Sequence, residues 1–262
     1  MASEFLEHCL KGKPEPERLK AAAKKNCVTM RRLVRKAAAF LILSSALGRG
    51  GETVAEQAPA ERILGEACRI LANAKTSQYS HRTKVDEENG SYALDCSGLA
   101  VLILKRVAPE QLANVPRNGK SRPRAVEFHT AIAAAPSDEK GAKGWRRIEK
   151  LVDARPGDFI VWRKEEIKTG DSTGHVVLVN QAPVEDEGGR LRVVVIDSTG
   201  SGHADDTRGD GENGVGRGTM WFDMDAAGRP VAYRWKSRNG SSHKAPIVIG
   251  RVTTYGTADE HR

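Results

Sequence analysis

The sequence predicts an α+β fold in which N-terminal helices pack on an antiparallel β-sheet of about six strands. Three observations carry this expectation. Before residue 135, apolar side chains recur at helical spacing; after Gly144 they gather into short runs rich in β-branched and aromatic residues. Turn-forming segments such as Glu187-Gly188-Gly189 and Ala226-Ala227-Gly228 separate several of those runs. Helices first and strands afterwards is the order of an α+β domain. A chain of 262 residues with 39% apolar content can bury one generous core.

The front of the chain reads differently from the rest. Residues 1–60 hold 11 of the 42 basic side chains and 6 of the 34 acidic ones, which leaves the remainder near +3 of a formal +8. The basic excess therefore says little about what the body binds, and no nucleic-acid partner is expected. From Met30, MRRLVRKAAAFLILSSALG has a basic run and then an apolar stretch of signal-peptide length. It is short for a membrane span, so no integral span is expected in the mature form. Ala46-Leu47-Gly48 and Ala58-Pro59-Ala60 are alternative cleavage sites. The expected organisation is an extension at 1–29 upstream of a start at Met30, a signal peptide and short linker at 30–60, and one catalytic domain at 61–262. The expected location is outside the cytoplasm: periplasm, cell envelope or extracellular space.

Within the body, Ile63, Leu64, Ala67, Ile70 and Leu71 mark an amphipathic helix over 61–74, with Cys68 on its apolar side. QYSHRTKVDEENGSYAL has strand character, and its Asn89-Gly90 signals a hairpin turn. A helix opens at Asp95-Cys96, with Leu99, Leu102, Ile103 and Val107 able to face the core. RPRAVEFHTAIAA predicts another helix from about Arg122, with Pro123 in its first turn. The strand runs are 158–162, 175–180, 191–197, 219–225, 231–235 and 246–252.

Cys96 stands at the threshold of its helix, where a structural cysteine gains nothing. A helix start offers unpaired amides and the positive end of the macrodipole, and both favour a thiolate. The same amides can hold an oxyanion after attack on a carbonyl. Asp95 fits the N-cap. A thiol nucleophile needs a base oriented by a third polar group. Among the histidines after residue 60, His175 heads an apolar strand in STGHVVLVN, a rigid place for a base. The next strand, LRVVVIDSTG, ends its apolar run at Asp197, which can fix the imidazole tautomer if the two strands pair. Ser198 and His203 compete with Asp197 for that role.

Asp95-Cys96-Ser97-Gly98, then Arg155-Pro156-Gly157-Asp158 leading into a strand, then Gly174-His175-Val176 opening the next, resemble the NlpC-type cell-wall cysteine peptidases of the papain-like superfamily. The match runs from about Tyr79 to Asp197. The resemblance implies a papain-like fold, a nucleophile at Cys96, a base at His175 and a third polar residue that by position is Asp197. Ser97, Tyr79 and Asp95 are the candidate oxyanion and substrate residues. The family often carries Tyr-x-Trp-Gly-Gly ahead of the cysteine, and here Tyr79 in QYSHR is its counterpart without Trp-Gly-Gly. The implied activity is hydrolysis of an amide bond, with peptide stems of peptidoglycan as substrate. An amidase or acyltransferase using the same thiol, and an inactive wall-binding relative, are the alternatives.

Other signals read as ordinary. No CxxC pair is present, and His203-Ala204-Asp205-Asp206 lacks a second spaced histidine motif, so neither a metal nor a cofactor is expected. Arg208-Gly209-Asp210 reads as chance. Gly214-Val215-Gly216-Arg217-Gly218 follows no expected strand and opens no helix, which argues against dinucleotide binding. Trp162, Trp221 and Trp235 read as sheet packing, Trp145 as part of a loop, and the Arg117–Arg122 cluster as a solvated loop.

Overall fold

The structure is a computed structural model that describes residues 58–138, 141–168, 172–186 and 188–254. All belong to the second of the chain's two units, Gln57–Arg262. The expected extension at 1–29 and the expected leader lie outside the described residues, apart from residues 58–60.

Helix α1 (Pro59–Asn73) opens with proline at its first position, where the missing amide costs nothing. Its buried stripe contains Ile63, Leu64, Ala67 and Ile70. Cys68 is buried beside them. Pro59 and Ala60 are thus part of the folded helix rather than of a linker. The expected hairpin forms between β2 (Lys84–Asp86) and β3 (Ser91–Ala93), and β1 (Thr76–Gln78) adds a parallel strand on the other side of β3.

Helix α2 (Cys96–Val107) buries Leu99, Ala100, Ile103 and Leu104, so Leu104 takes the core place expected of Leu102. The short α3 (Pro109–Ala113) follows, and then α4 (Ala125–Ala134). Pro123 lies just before the α4 N-cap, Arg124, rather than in the first turn. The Arg124 amide donates to Glu127 Oε2 at 2.9 Å, which satisfies the helix start from within.

The remaining strands are β4 (Trp145–Ile148), β5 (Phe159–Arg163), β6 (Gly174–Val179), β7 (Val184–Glu185), β8 (Leu191–Thr199), β9 (Gly214–Met224), β10 (Pro230–Arg234), β11 (His243–Lys244) and β12 (Ile247–Val252). They form one antiparallel sheet in the order β11-β10-β9-β8-β6-β5-β12-β4, with β7 pairing β8. The coarse class is therefore α+β, with nine strands in the large sheet rather than about six. The six expected runs are β5, β6, β8, β9, β10 and β12. Trp145 is in β4, buried with its ring edge-on to Phe128 and Phe159, not in a loop. Gly214–Gly218, expected to lie outside any strand, is the first half of β9.

Each strand divides its side chains between two faces. On β5, Phe159 turns toward Trp145 and the helices, whereas Ile160 and Trp162 join the second core, with Val177 and Val179 of β6, Val193 and Val195 of β8, and Phe222 of β9. The sheet curls around this second core. Trp162 on β5 stacks on Tyr233 of β10 at 4.4 Å between ring centroids, although three strands separate them in the sheet order.

The RPGD turn is structural. Asp158 accepts from the Arg155 amide at 2.8 Å and from Arg251 Nε and Nη2 at 2.9 and 2.7 Å, tying the entry of β5 to β12. Burial pushes the Asp158 carboxyl up despite the Arg251 guanidinium beside it.

Candidate active site

The β6–β8 pairing runs through Leu178↔Ile196 and Val179↔Val195. Continuing that register puts Asp197 opposite Val177 and diagonal to His175, both on the face that carries Val177, Val179, Val193 and Val195. The segment before α2 enters at these strand ends. Ser198 Oγ donates to the Leu94 carbonyl at 2.6 Å, so Ser198 anchors the residues ahead of Cys96.

Asp95 caps α2 as expected: its Oδ1 accepts from the Gly98 amide at 2.7 Å and from Ser97 Oγ at 3.0 Å. The Asp95 carbonyl takes the Leu99 amide at 2.9 Å. Among the described residues, the Cys96 and Ser97 amides are left as the open donors of the helix start. The other Asp95 oxygen accepts from Arg122 Nη2 at 2.7 Å and faces His81 Nδ1 at 3.1 Å, while Arg122 Nη1 donates to Ser97 Oγ at 2.7 Å. Burial opposes the Asp95 charge, but the Arg122 guanidinium and these hydrogen bonds hold its carboxyl below the usual range. Arg122, read from sequence as part of a solvated loop, binds the side chains on either side of Cys96. The Asp95 and Ser97 side chains are engaged in this network and line the pocket with Cys96.

His175 heads β6 behind Gly174, where φ is +143° and an added Cβ would lie 2.0 Å from the Trp162 carbonyl oxygen. That close approach sets the His175 backbone against β5. The imidazole sits between Trp162, at 5.1 Å between centroids, and Trp235, also at 5.1 Å. Its Nε2 donates to Asp197 Oδ2 at 2.6 Å. The Cys96 sulfur lies near enough for its charge to act on the ring. Burial disfavours the imidazolium, yet the charge of the Cys96 sulfur and the hydrogen bond to Asp197 outweigh it and raise the group to about 10. The imidazole thus stands between the Asp197 carboxylate, bound to its Nε2, and the Cys96 sulfur, whose charge acts on it.

Asp197 is fully buried and takes two more donors. His203 Nε2 lies 3.0 Å from Oδ2, and Arg208 Nη2 donates to Oδ1 at 2.9 Å. Burial works against the carboxylate, but interactions with His203 and His175 hold it well below its usual range. His203 and His175 therefore share one oxygen of Asp197. Sequence reasoning took Arg208 for a chance tripeptide and missed its place here.

Tyr79 follows β1 and lines a narrow pocket with His81, Asp95, Cys96, Ser97, Ser172, Thr173 and Gly174. Burial, Cys96 and the nearby carboxylates Asp95 and Asp197 all push its phenol up, so it is a hydroxyl donor at neutral pH. On the other side of Gly174 a cavity of about 400 Å³ is lined by His175, Trp162, Tyr233 and Trp235, with Arg163 and Lys244 among its polar residues. Both depressions share Ser172 and Gly174, so Cys96 opens on one and His175 on the other. Cys96 is the free cysteine among the described residues. No group of three or more potential metal ligands occurs among the described residues, and none of their helices is long and apolar enough to cross a membrane.

Comparison with protein-family models, with curated proteins and with solved structures found no match to this chain.

Proposed function

We propose that the chain is a cysteine hydrolase of amide bonds with an NlpC-type, papain-like catalytic domain, acting outside the cytoplasm on peptide stems of peptidoglycan. The observation that carries the chemistry is the His175–Asp197 hydrogen bond at 2.6 Å, with Cys96 at the start of α2 near enough for its charge to act on His175. The choice of peptidoglycan rests on the resemblance of the Asp95–Gly98, Arg155–Asp158 and Gly174–Val176 segments, and export on the basic and apolar pattern after Met30.

In this reading His175 Nδ1 takes the Cys96 proton and stands as imidazolium beside the thiolate. Sulfur attacks the carbonyl carbon, and the carbonyl electron pair moves to oxygen, held by the Cys96 and Ser97 amides with the Tyr79 hydroxyl at the pocket wall. Collapse breaks the C–N bond as the imidazolium gives its proton to the departing amine, leaving a thioester on Cys96. His175 then deprotonates water, which attacks the thioester and releases a carboxylic acid and the thiol. The departing amine lies on the His175 side, over the Trp162–Tyr233–Trp235 cavity.

The test is turnover of purified muropeptides by the full chain and by Cys96→Ala, followed by mass spectrometry. Cleavage lost in the variant supports the reading, and the product masses tell peptidase from amidase. Transfer products would instead identify an acyltransferase. Binding without turnover by the wild type would make the protein an inactive wall-binding relative and overturn the hydrolase reading.

A further inference from the structure

We propose that His203 and Arg208 are positioning residues for Asp197, clamping its carboxylate so that a single fixed oxygen meets His175. The inference rests on the reading of Cys96 and His175 as nucleophile and base, and extends the site to two residues that a three-member series does not require.

The geometry is specific. Oδ2 of Asp197 is shared by His175 Nε2 at 2.6 Å and His203 Nε2 at 3.0 Å, and Oδ1 is taken by Arg208 Nη2 at 2.9 Å. The carboxylate cannot turn about its bond to Cβ without losing one of these donors. Both clamping side chains are sealed from solvent, at 0% exposure for His203 and 3% for Arg208, so neither has a solvation role. Independent support comes from His203 Nδ1, which is buried without a partner. The ring is there for its Nε2–H alone, and an unpaired buried nitrogen costs about 1–3 kcal/mol unless something is gained elsewhere.

The clamp is itself held. Asp206 Oδ2 accepts from the His203 amide at 2.6 Å and from Arg208 Nη2 at 2.9 Å, and its Oδ1 accepts from Arg208 Nε at 2.8 Å. Arg208 Nη1 reaches the Gly214 carbonyl at 2.7 Å. Trp235 stacks on the His203 ring at 4.4 Å between centroids while touching His175, so one indole fixes both imidazoles. The charged and titratable groups facing Asp197 are then His175 from β6, His203 and Arg208 from the loop between β8 and β9, Cys96 from α2 and Tyr79 after β1, with Asp206 behind Arg208. With both clamping donors in place the carboxylate charge is shared three ways, and the oxygen that meets His175 Nε2 is held in one position.

The experiment compares His203→Gln, whose amide can donate as Nε2–H does, with His203→Phe, which keeps a ring against Trp235 and loses the donor. Amide turnover, the His175 titration followed by NMR without substrate, and the melting temperature are read for each. His203→Phe is expected to lower kcat about tenfold or more with KM within about twofold, and His203→Gln to recover most of the loss. The His175 midpoint is expected to rise by about half a pH unit or more in His203→Phe and in Arg208→Met, because fewer donors then share the Asp197 charge, and to return in His203→Gln. If His203→Phe does not fold, His203→Asn, too short to reach Asp197, replaces it. Gln and Phe variants with equal losses, or a His175 titration unchanged in all of them, would overturn the clamp. Turnover that survives Cys96→Ala would instead overturn the hydrolase reading and leave the NMR result to decide the clamp by itself.

Discussion

Gly216 sits on β9 directly beneath Arg208, and replacing it with alanine is the most informative single methyl in the molecule. A Cβ there would lie 2.3 Å from Arg208 Nε, 2.7 Å from Cζ and 2.8 Å from Cδ. The guanidinium cannot step aside freely, because it is bound to Asp206, the Gly214 carbonyl and Asp197 within a buried site. Overpacking of this kind costs about 1–3 kcal/mol. Displacing Arg208 also forfeits its charged hydrogen bond to Asp197, about 1.5–3 kcal/mol more. We expect Gly216→Ala to lose about 3–5 kcal/mol in urea unfolding, seen as a lower midpoint at unchanged slope, together with most of the amide turnover. The double variant Gly216→Ala/Arg208→Ala should be less destabilised than the two single losses added together, since the methyl then enters vacated space. A Gly216→Ala protein within about 1 kcal/mol of wild type, with normal turnover, would refute the packing argument and weaken the clamp with it.

Three further outcomes follow from the same contacts. Asp95→Ala removes the α2 cap and strands Arg122, and should cost about 2–4 kcal/mol, with Asp95→Asn losing less because its amide oxygen can still accept from Gly98; chemical denaturation of both variants checks this. Gly65→Ala should stabilise the fold by about 0.5–1 kcal/mol, since the position is helical and nothing lies within 4 Å of the added methyl; calorimetry reads the rise in Tm. His175 is raised to about 10 chiefly against burial by the Cys96 charge, so Cys96→Ala should lower its titration midpoint in NMR. By linkage, the stabilisation that a raised histidine supplies is complete below its unfolded value near 6.5 and fades as pH climbs toward 10, and that decline should be shallower in Cys96→Ala.

How much of this was legible in the sequence depends on how far apart the partners lie. The Asp95 cap and the start of α2 were readable because a cap acts over three residues. His175 and Asp197 were readable because two adjacent antiparallel strands with known hydrophobic alternation place their ends together. Arg122 and Arg208 were not, since each reaches the site from a loop whose path no local pattern specifies, and His203 could be named only as a competitor of Asp197 rather than as its partner. The first half of β9 was hidden by its own function: Gly216 and Gly218 have no side chains because Arg208, His203 and Asp206 press on that strand, and three glycines in five residues erase the β signature. β4 was missed because Trp145 follows a glycine-containing turn and precedes two arginines, leaving too few apolar residues to alternate.

The central claim is that the Cys96 sulfur and the His175 imidazole form one ionisable unit. Its most direct test is the rate of Cys96 carboxymethylation by iodoacetamide at pH 6, with the labelled residue identified by peptide mapping, in wild type and in His175→Ala. Fast labelling in the wild type that falls tenfold or more without the imidazole is the expected result. Equal, slow labelling of the two proteins would contradict it.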